Sequence, residues 1–233
     1  MFRNEETKMQ AIFKRELKSS LLTVKSLIIL LFFLLISYWI SKYSPVINQI
    51  SGEKNSVISV IYGAIETLGV FFGFMMFSGT IAKIVENESI RYIISYTTRI
   101  KLIIGKYLAM NVYFIILLCL MVPIVMFVRG VESFPFLELI QAIIFFMYVT
   151  SIILLLSVVT RRERTANFVG IVLGFVIPIL GLYSVVSKNW VIRAVSWLLP
   201  YRYDTLRTDS IFLVFLSLIL VGISIKIFSD MEV

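Results

Sequence analysis

Six stretches of almost unbroken apolar residues, at 26–43, 57–81, 107–128, 136–160, 166–187 and 210–228, set the rhythm of the chain. About 20 helical residues cross the hydrocarbon core of a bilayer, so each stretch predicts one spanning helix. The intervals between them are short and differ in character. Residues 1–25 place Met9, Ile12, Phe13, Leu17, Leu21 and Leu22 at three- and four-residue steps among Arg3, Lys8, Lys14, Arg15, Lys18 and Lys25. That pattern predicts an amphipathic helix lying on a membrane surface, the alternative being a basic tail that only sets topology. Residues 129–135 suffice for a turn, and the Arg161-Arg162-Glu163-Arg164 cluster marks another polar end. The segment 188–209, with Trp190, Val191, Val195, Leu198 and Leu199 between polar residues, predicts one or two short helices in or re-entering an interface.

The interval at 82–106 concentrates charge in a chain that otherwise avoids it: Lys83, Glu86, Glu88, Arg91, Arg99, Lys101 and Lys106. At helical spacing Ile90, Ile93 and Ile94 share one face, opposite Ser89, Arg91 and Ser95. Ile100, Ile103, Ile104, Tyr107 and Leu108 repeat the spacing, while Ser95, Thr97 and Thr98 are poor helix formers between the two sets. The expectation is a short surface helix, a bend, and a second short helix leading into the third span.

Within the spans, few residues depart from the apolar pattern. Glu66 lies in the second, where a charge near the bilayer centre costs at least about 2.5 kcal/mol. It reads either as a polar group of a substrate path or helix contact, or as a solvated residue near the outer surface. Gly63, Gly69, Gly73 and Gly79 predict close backbone approach to a neighbouring helix, within the chain or across a dimer seam. Gly170, Gly174, Pro178 and Gly181 interrupt the fifth span, and Pro178 predicts a bend there.

Composition narrows the functional classes. Hydrophobic residues make up 59% of 233 positions and the mean hydropathy is +0.96, far from the soluble globular range. Six spans and their loops use the whole length, so a single membrane domain is expected over 1–233. The net charge of +8 is spread among the loops, which favours membrane lipid rather than nucleic acid as the basic residues' partner. With the N-terminus inside, fifteen basic residues fall on the inner side and seven on the outer, so both termini are expected in the cytoplasm. Histidine is absent and Cys119 is the single cysteine, which removes disulfides, Cys/His metal sites and histidine-based hydrolysis from consideration. Gly105-Lys106 is no phosphate-binding loop, because Ile100 stands where its first glycine is needed and Tyr107 where a Ser or Thr should follow. No enzyme activity, and no cofactor held by this chain, is expected.

The run Glu86-Asn87-Glu88, then Ile93-Ile94-Ser95-Tyr96, then Arg99, then Ile103-Ile104-Gly105-Lys106 resembles the cytoplasmic signature of ABC-2 type transporter permeases. In that family proline often stands just before the arginine; here the bend carries Thr97. The resemblance implies an all-α integral membrane fold: an N-terminal elbow helix (1–25), six transmembrane helices, a coupling segment (82–106) between the second and third, and outer re-entrant helices (188–209) before the sixth. It also implies export powered by a separate cytoplasmic ATPase in two copies, which holds ATP and magnesium, and a second permease half, identical or homologous, in a bacterial plasma membrane. Carried onto this chain, Glu86, Glu88 and Arg91 face the ATPase, while Arg99 and Lys101 secure the bend against lipid phosphate or the partner; the plainer alternative is a solvated loop face. Small permeases of this type resemble exporters of amphipathic or antimicrobial peptides and self-immunity pumps. A groove of Phe71, Phe72, Phe74, Tyr113, Phe114, Met75, Met76, Met110 and Met121, with Glu66, would suit such cargo, although the same residues equally suit ordinary helix packing. A function of another class, a non-transporting immunity or sensor protein that binds a toxin or partner, fits the same composition.

Overall fold

A computed structural model describes residues 17–18, 21–43, 56–88, 90, 97–129, 134–186, 189–203 and 210–231. The expected elbow helix at 1–25 lies largely outside them, as do Arg91 and the end of the outer segment at 204–209. The described residues form helices α1 (Val24–Lys42), α2 (Ser56–Phe77), α3 (Ala82–Glu86), α4 (Arg99–Arg129), α5 (Phe136–Thr160), α6 (Glu163–Val186), α7 (Trp190–Ser196) and α8 (Ser210–Ser229), with a 3-10 turn at Pro200–Arg202. Six of them are long and apolar enough to cross a membrane, giving an all-helical, membrane-type architecture among the described residues.

Two boundaries differ from the sequence expectation. The second short helix expected at 100–108 is the first part of α4, which runs unbroken from Arg99 and continues through Pro123. The apolar spacing there never lapses, and Leu102, Ile103, Lys106 and Tyr107 are already buried, so tertiary contact holds these turns in the long helix. α6 likewise begins at Glu163 rather than three residues later, for a reason found in its cap.

Helix α5 occupies the centre, packed against α2, α4, α6 and α8 and against the short α3. α1 lies across α2 and α4, and α6 lies along α2. The peripheral helices α1 and α8 bury narrow serine-bearing stripes: Ser26, Ile29, Phe33, Ser37 and Ser41 on α1, and Ser210, Leu213, Ser217, Val221, Ser224 and Phe228 on α8. Their exposed positions are the large apolar ones, such as Leu27, Leu31 and Leu35 or Phe215, Leu218 and Ile219. This is the reverse of a soluble amphipathic helix. Where the surroundings are hydrocarbon, small side chains belong at helix contacts and large apolar ones face outward.

The glycines follow the same logic. A Cβ at Gly69 or Gly73 would press on Phe146 or Phe114, and one at Gly174 would lie 3.2 Å from the Cα of Phe71. A Cβ at Gly170 would stand 2.5 Å from Ser78 Oγ. Gly69, Gly73 and Gly79 therefore face contacts inside this chain, not a dimer seam, whereas Gly63 has open space beside it. At the end away from α3, the ring of Tyr201 fills the space a side chain at Gly181 would need and meets Phe145 edge-on. Tyr148 donates to the carbonyl of Leu198 at 2.8 Å, folding the 190–203 segment back over α5 and α6.

Gly174→Val is expected to force α6 off the backbone of α2 and to lower stability by about 1–3 kcal/mol. Gly63→Ala should leave the melting temperature of the detergent-solubilised chain unchanged or slightly raised. Equal effects of the two substitutions would show that α2 and α6 do not meet as described.

Candidate functional site

The polar groups concentrate where α2 gives way to α3. α3 begins with no cap from its own sequence: Ile81 precedes it in helical conformation and supplies no side-chain acceptor. Ser157 of α5 provides one instead, its Oγ accepting the backbone N–H of Ile81 at 2.8 Å and of Ala82 at 3.2 Å. In return α3 caps the start of α6, where the Glu86 carboxylate accepts the N–H of Glu163 at 2.6 Å. An acidic group at a helix N-terminus is favoured by both the open amides and the helix dipole. This explains why α6 extends back to Glu163.

Two further contacts complete the corner. Lys83 Nζ lies 3.4 Å from Glu163 Oε1, an exposed pair whose contribution is small. Ser78 donates to Asn167 Oδ1 at 3.2 Å, beside Gly79, where a Cβ would meet the same amide. Residues 78–86 are thus fixed to 157–167 by groups from three helices. Both non-glycine residues with left-handed backbone among the described residues, Glu88 (φ 52°) and Arg161 (φ 54°), sit at this corner, each just past a helix C-terminus.

A second cluster lies at the same end. Arg99, the first residue of α4, reaches the last turn of α8, where its Nη1 donates to the carbonyls of Phe228 (3.1 Å), Ser229 (2.7 Å) and Met231 (2.7 Å). These are the acceptors a helix C-terminus leaves open, and a guanidinium satisfies them and opposes the negative end of the dipole. Thr98 caps α4, its Oγ1 lying 3.4 Å from the N–H of Lys101.

The residues expected to couple to an ATPase therefore fall in two places. Glu86 and the exposed Glu88 belong to the α3 corner, while Arg99 belongs to the α4–α8 clamp with Lys101 two residues further on; Arg91 lies outside the described residues. The expected substrate-path residues do not line one space. Phe74 is fully buried against α6, Phe71 is half-buried with its ring 4.4 Å from that of Phe175, Tyr113 turns inward to Phe77, and Met75 faces out at 44% exposure. Glu66 is 2% exposed, so the solvated position weighed for it gives way to a carboxyl covered by the bundle. An apolar recess sits one turn from it, lined by Ile61, Tyr62, Ile65, Met121, Val122 and Val125.

Sequence reasoning passed over the polar residues inside α4, α5 and α8. Tyr107 Oη and Ser217 Oγ are hydrogen-bonded at 2.8 Å, one donating to the other, and both lie within reach of the Met147 carbonyl, at 3.2 and 3.1 Å, which accepts from the hydroxyl whose proton is left; Asn111 donates to Tyr107 O at 2.8 Å, and its Oδ1 lies 3.2 Å from Thr150 Oγ1. The signal was available, since hydroxyl and amide side chains are conspicuous in spans this apolar. Only the packing reveals that they meet one another.

Arg99→Gln is expected to loosen the end of α8 and cost about 1–3 kcal/mol, with faster proteolysis of the C-terminal residues, while Arg99→Lys retains part of the effect. Unchanged proteolysis in Arg99→Gln would remove the clamp. For the buried network, Tyr107→Phe and Ser217→Ala should each cost about 0.6 kcal/mol, the usual scale of a hydrogen bond between spans, with the double variant costing less than the sum. Additive losses in a thermal-unfolding cycle would show that the two hydroxyls act separately.

The chain matches no protein-family model and no curated protein, so a functional reading has to rest on its own residues.

Proposed function

We propose that this chain is the membrane subunit of an ATP-driven exporter of the ABC-2 type, working with a separate cytoplasmic ATPase and a second membrane half. In this reading both termini and α3 lie on the cytoplasmic side of a bacterial plasma membrane, as the distribution of basic residues favours. The cargo class is an amphipathic or similarly apolar peptide. ATP and magnesium are held by the partner, and residues 1–25 serve as an elbow helix, with the 190–203 segment covering the outer end.

The observation that carries this reading is the way α3 is joined to the bundle. A free loop between two spans transmits nothing, because it bends before the helices move. α3 is tied to α5 through Ser157 and to α6 through Glu86, so force applied to it reaches α2, α5 and α6 together. Glu88, exposed immediately after α3, stands where a partner can push. The Arg99 clamp joins α4 to the end of α8 at the same end of the bundle.

Affinity purification of the tagged chain from its native membrane tests the reading. The expected result is a co-purifying ATPase in stoichiometric amount, whose turnover responds to amphipathic peptide in reconstituted vesicles and falls about tenfold with Glu88→Lys or Arg91→Glu. A chain that isolates alone, with cellular function unchanged by those two substitutions, would favour the non-transporting immunity or sensor role.

A further inference from the structure

We propose that Arg202, Trp197 and Ser196 form a binding site for the phosphate of an anionic phospholipid, in the leaflet away from α3. The inference needs the membrane architecture alone and stands apart from the exporter reading.

The depth of the segment follows from the spans it touches. Tyr148, which holds the Leu198 carbonyl, stands midway along α5, and Gly181, against which Tyr201 packs, stands more than a turn inside the end of α6. Residues 197–203 therefore dip below the helix ends into the bilayer. The carbonyls that such a dip removes from water are taken up by tyrosines, Tyr148 for Leu198 and Tyr203 for Trp197.

The side chains of this segment divide by direction. Leu199, Pro200, Tyr201 and Tyr203 turn into the bundle, whereas Trp190, Val195, Trp197 and Leu198 are exposed. At this depth the medium around an exposed side chain is lipid. Aromatic and large apolar groups beside a basic one are the composition of a segment seated under a headgroup layer.

Arg202 is half-buried among them and is held in one orientation. Its Nη1 donates to Oγ of the buried Ser196 at 3.0 Å, and its Cζ lies 4.0 Å from the centroid of the Trp197 ring. The stacking and the hydrogen bond fix the plane of a guanidinium, and a fixed plane is what offers paired donors to a phosphate. The long arginine stem lets the charge rise from the apolar layer toward the headgroups. A headgroup of net negative charge is favoured over a zwitterionic one, whose own ammonium competes for the phosphate.

The test uses brominated lipids, which quench a tryptophan they touch. The full-length chain is reconstituted in phosphatidylcholine vesicles with rising fractions of brominated phosphatidylglycerol or brominated phosphatidylcholine. Trp39→Phe/Trp190→Phe leaves Trp197 as the reporter; a second chain, with all three native tryptophans changed to phenylalanine and Leu35→Trp, reports general lipid on the exposed side of α1. Expected are about fivefold preferential binding of phosphatidylglycerol at Trp197, at most a weak preference at the Leu35 position, loss of the preference in Arg202→Gln and partial retention in Arg202→Lys. Inorganic phosphate at constant ionic strength should leave these results unchanged; a preference that it abolishes would assign the site to a soluble anion and overturn the lipid assignment. Equal quenching of Trp197 by the two lipids, the same preference at both reporters, or a preference unchanged in Arg202→Gln would also overturn it. So would a Trp197 that neither lipid quenches, because protein would then cover the ring. The two reporters decide the matter with Arg202 in place, even if Arg202→Gln fails to fold, and none of these outcomes depends on whether an ATPase co-purifies.

Discussion

Hydrogen bonds and close backbone contacts along α5 are what this bundle depends on. In hydrocarbon, apolar surfaces gain little by leaving lipid for one another, so helices associate through small residues and polar contacts. α5 supplies those at two levels. Near its middle Tyr148 holds the covering segment through Leu198 on one face, while Thr150 and the Met147 carbonyl meet Asn111, Tyr107 and Ser217, and two turns further on Ser157 caps α3. Each set of contacts engages a different neighbour. The peripheral helices are then added on serine stripes, and α6 on the glycines that bring it against α2.

The two ends of the bundle differ in kind. Away from α3 the contacts are aromatic: Tyr201 in the space left by Gly181, Tyr203 donating to the Trp197 carbonyl, and Arg202 stacked 4.0 Å over the Trp197 ring. At the α3 end they are charged and directional, and helix termini are their common target. Ser157, Glu86 and Arg99 each satisfy backbone groups that a different helix leaves open. The contacts at this end fall into two groups, one joining α2, α3, α5 and α6 and one joining α4 to α8, and the extensive packing of α8 on α5 ties the two groups together.

Much of the architecture was legible in the residues alone. Long apolar stretches can only be helices in hydrocarbon, where every backbone group must be satisfied within the segment, so the six candidate spans follow from composition and length. The short surface helix expected around Ile90, Ile93 and Ile94 lies largely outside the described residues, and α3 is the segment before it, Ala82–Glu86. Roles inside the spans were not legible. Phe71, Phe74, Tyr113 and Met75 look alike as sequence, yet they turn toward α6, the interior and the outside, because a helix rotates each successive residue by about 100° and only its neighbours fix which direction is in.

The polar residues show the same division. Sequence determined that Glu86, Arg99, Ser157 and Ser217 were polar groups in an apolar chain, each needing a partner. Tertiary structure decided which partner: the α6 amide for Glu86, the α8 carbonyls for Arg99, the start of α3 for Ser157, and Tyr107 for Ser217. Those pairs are separated by tens to more than a hundred positions. The need for a hydrogen bond is a property of one residue, whereas its direction is set by how whole helices cross.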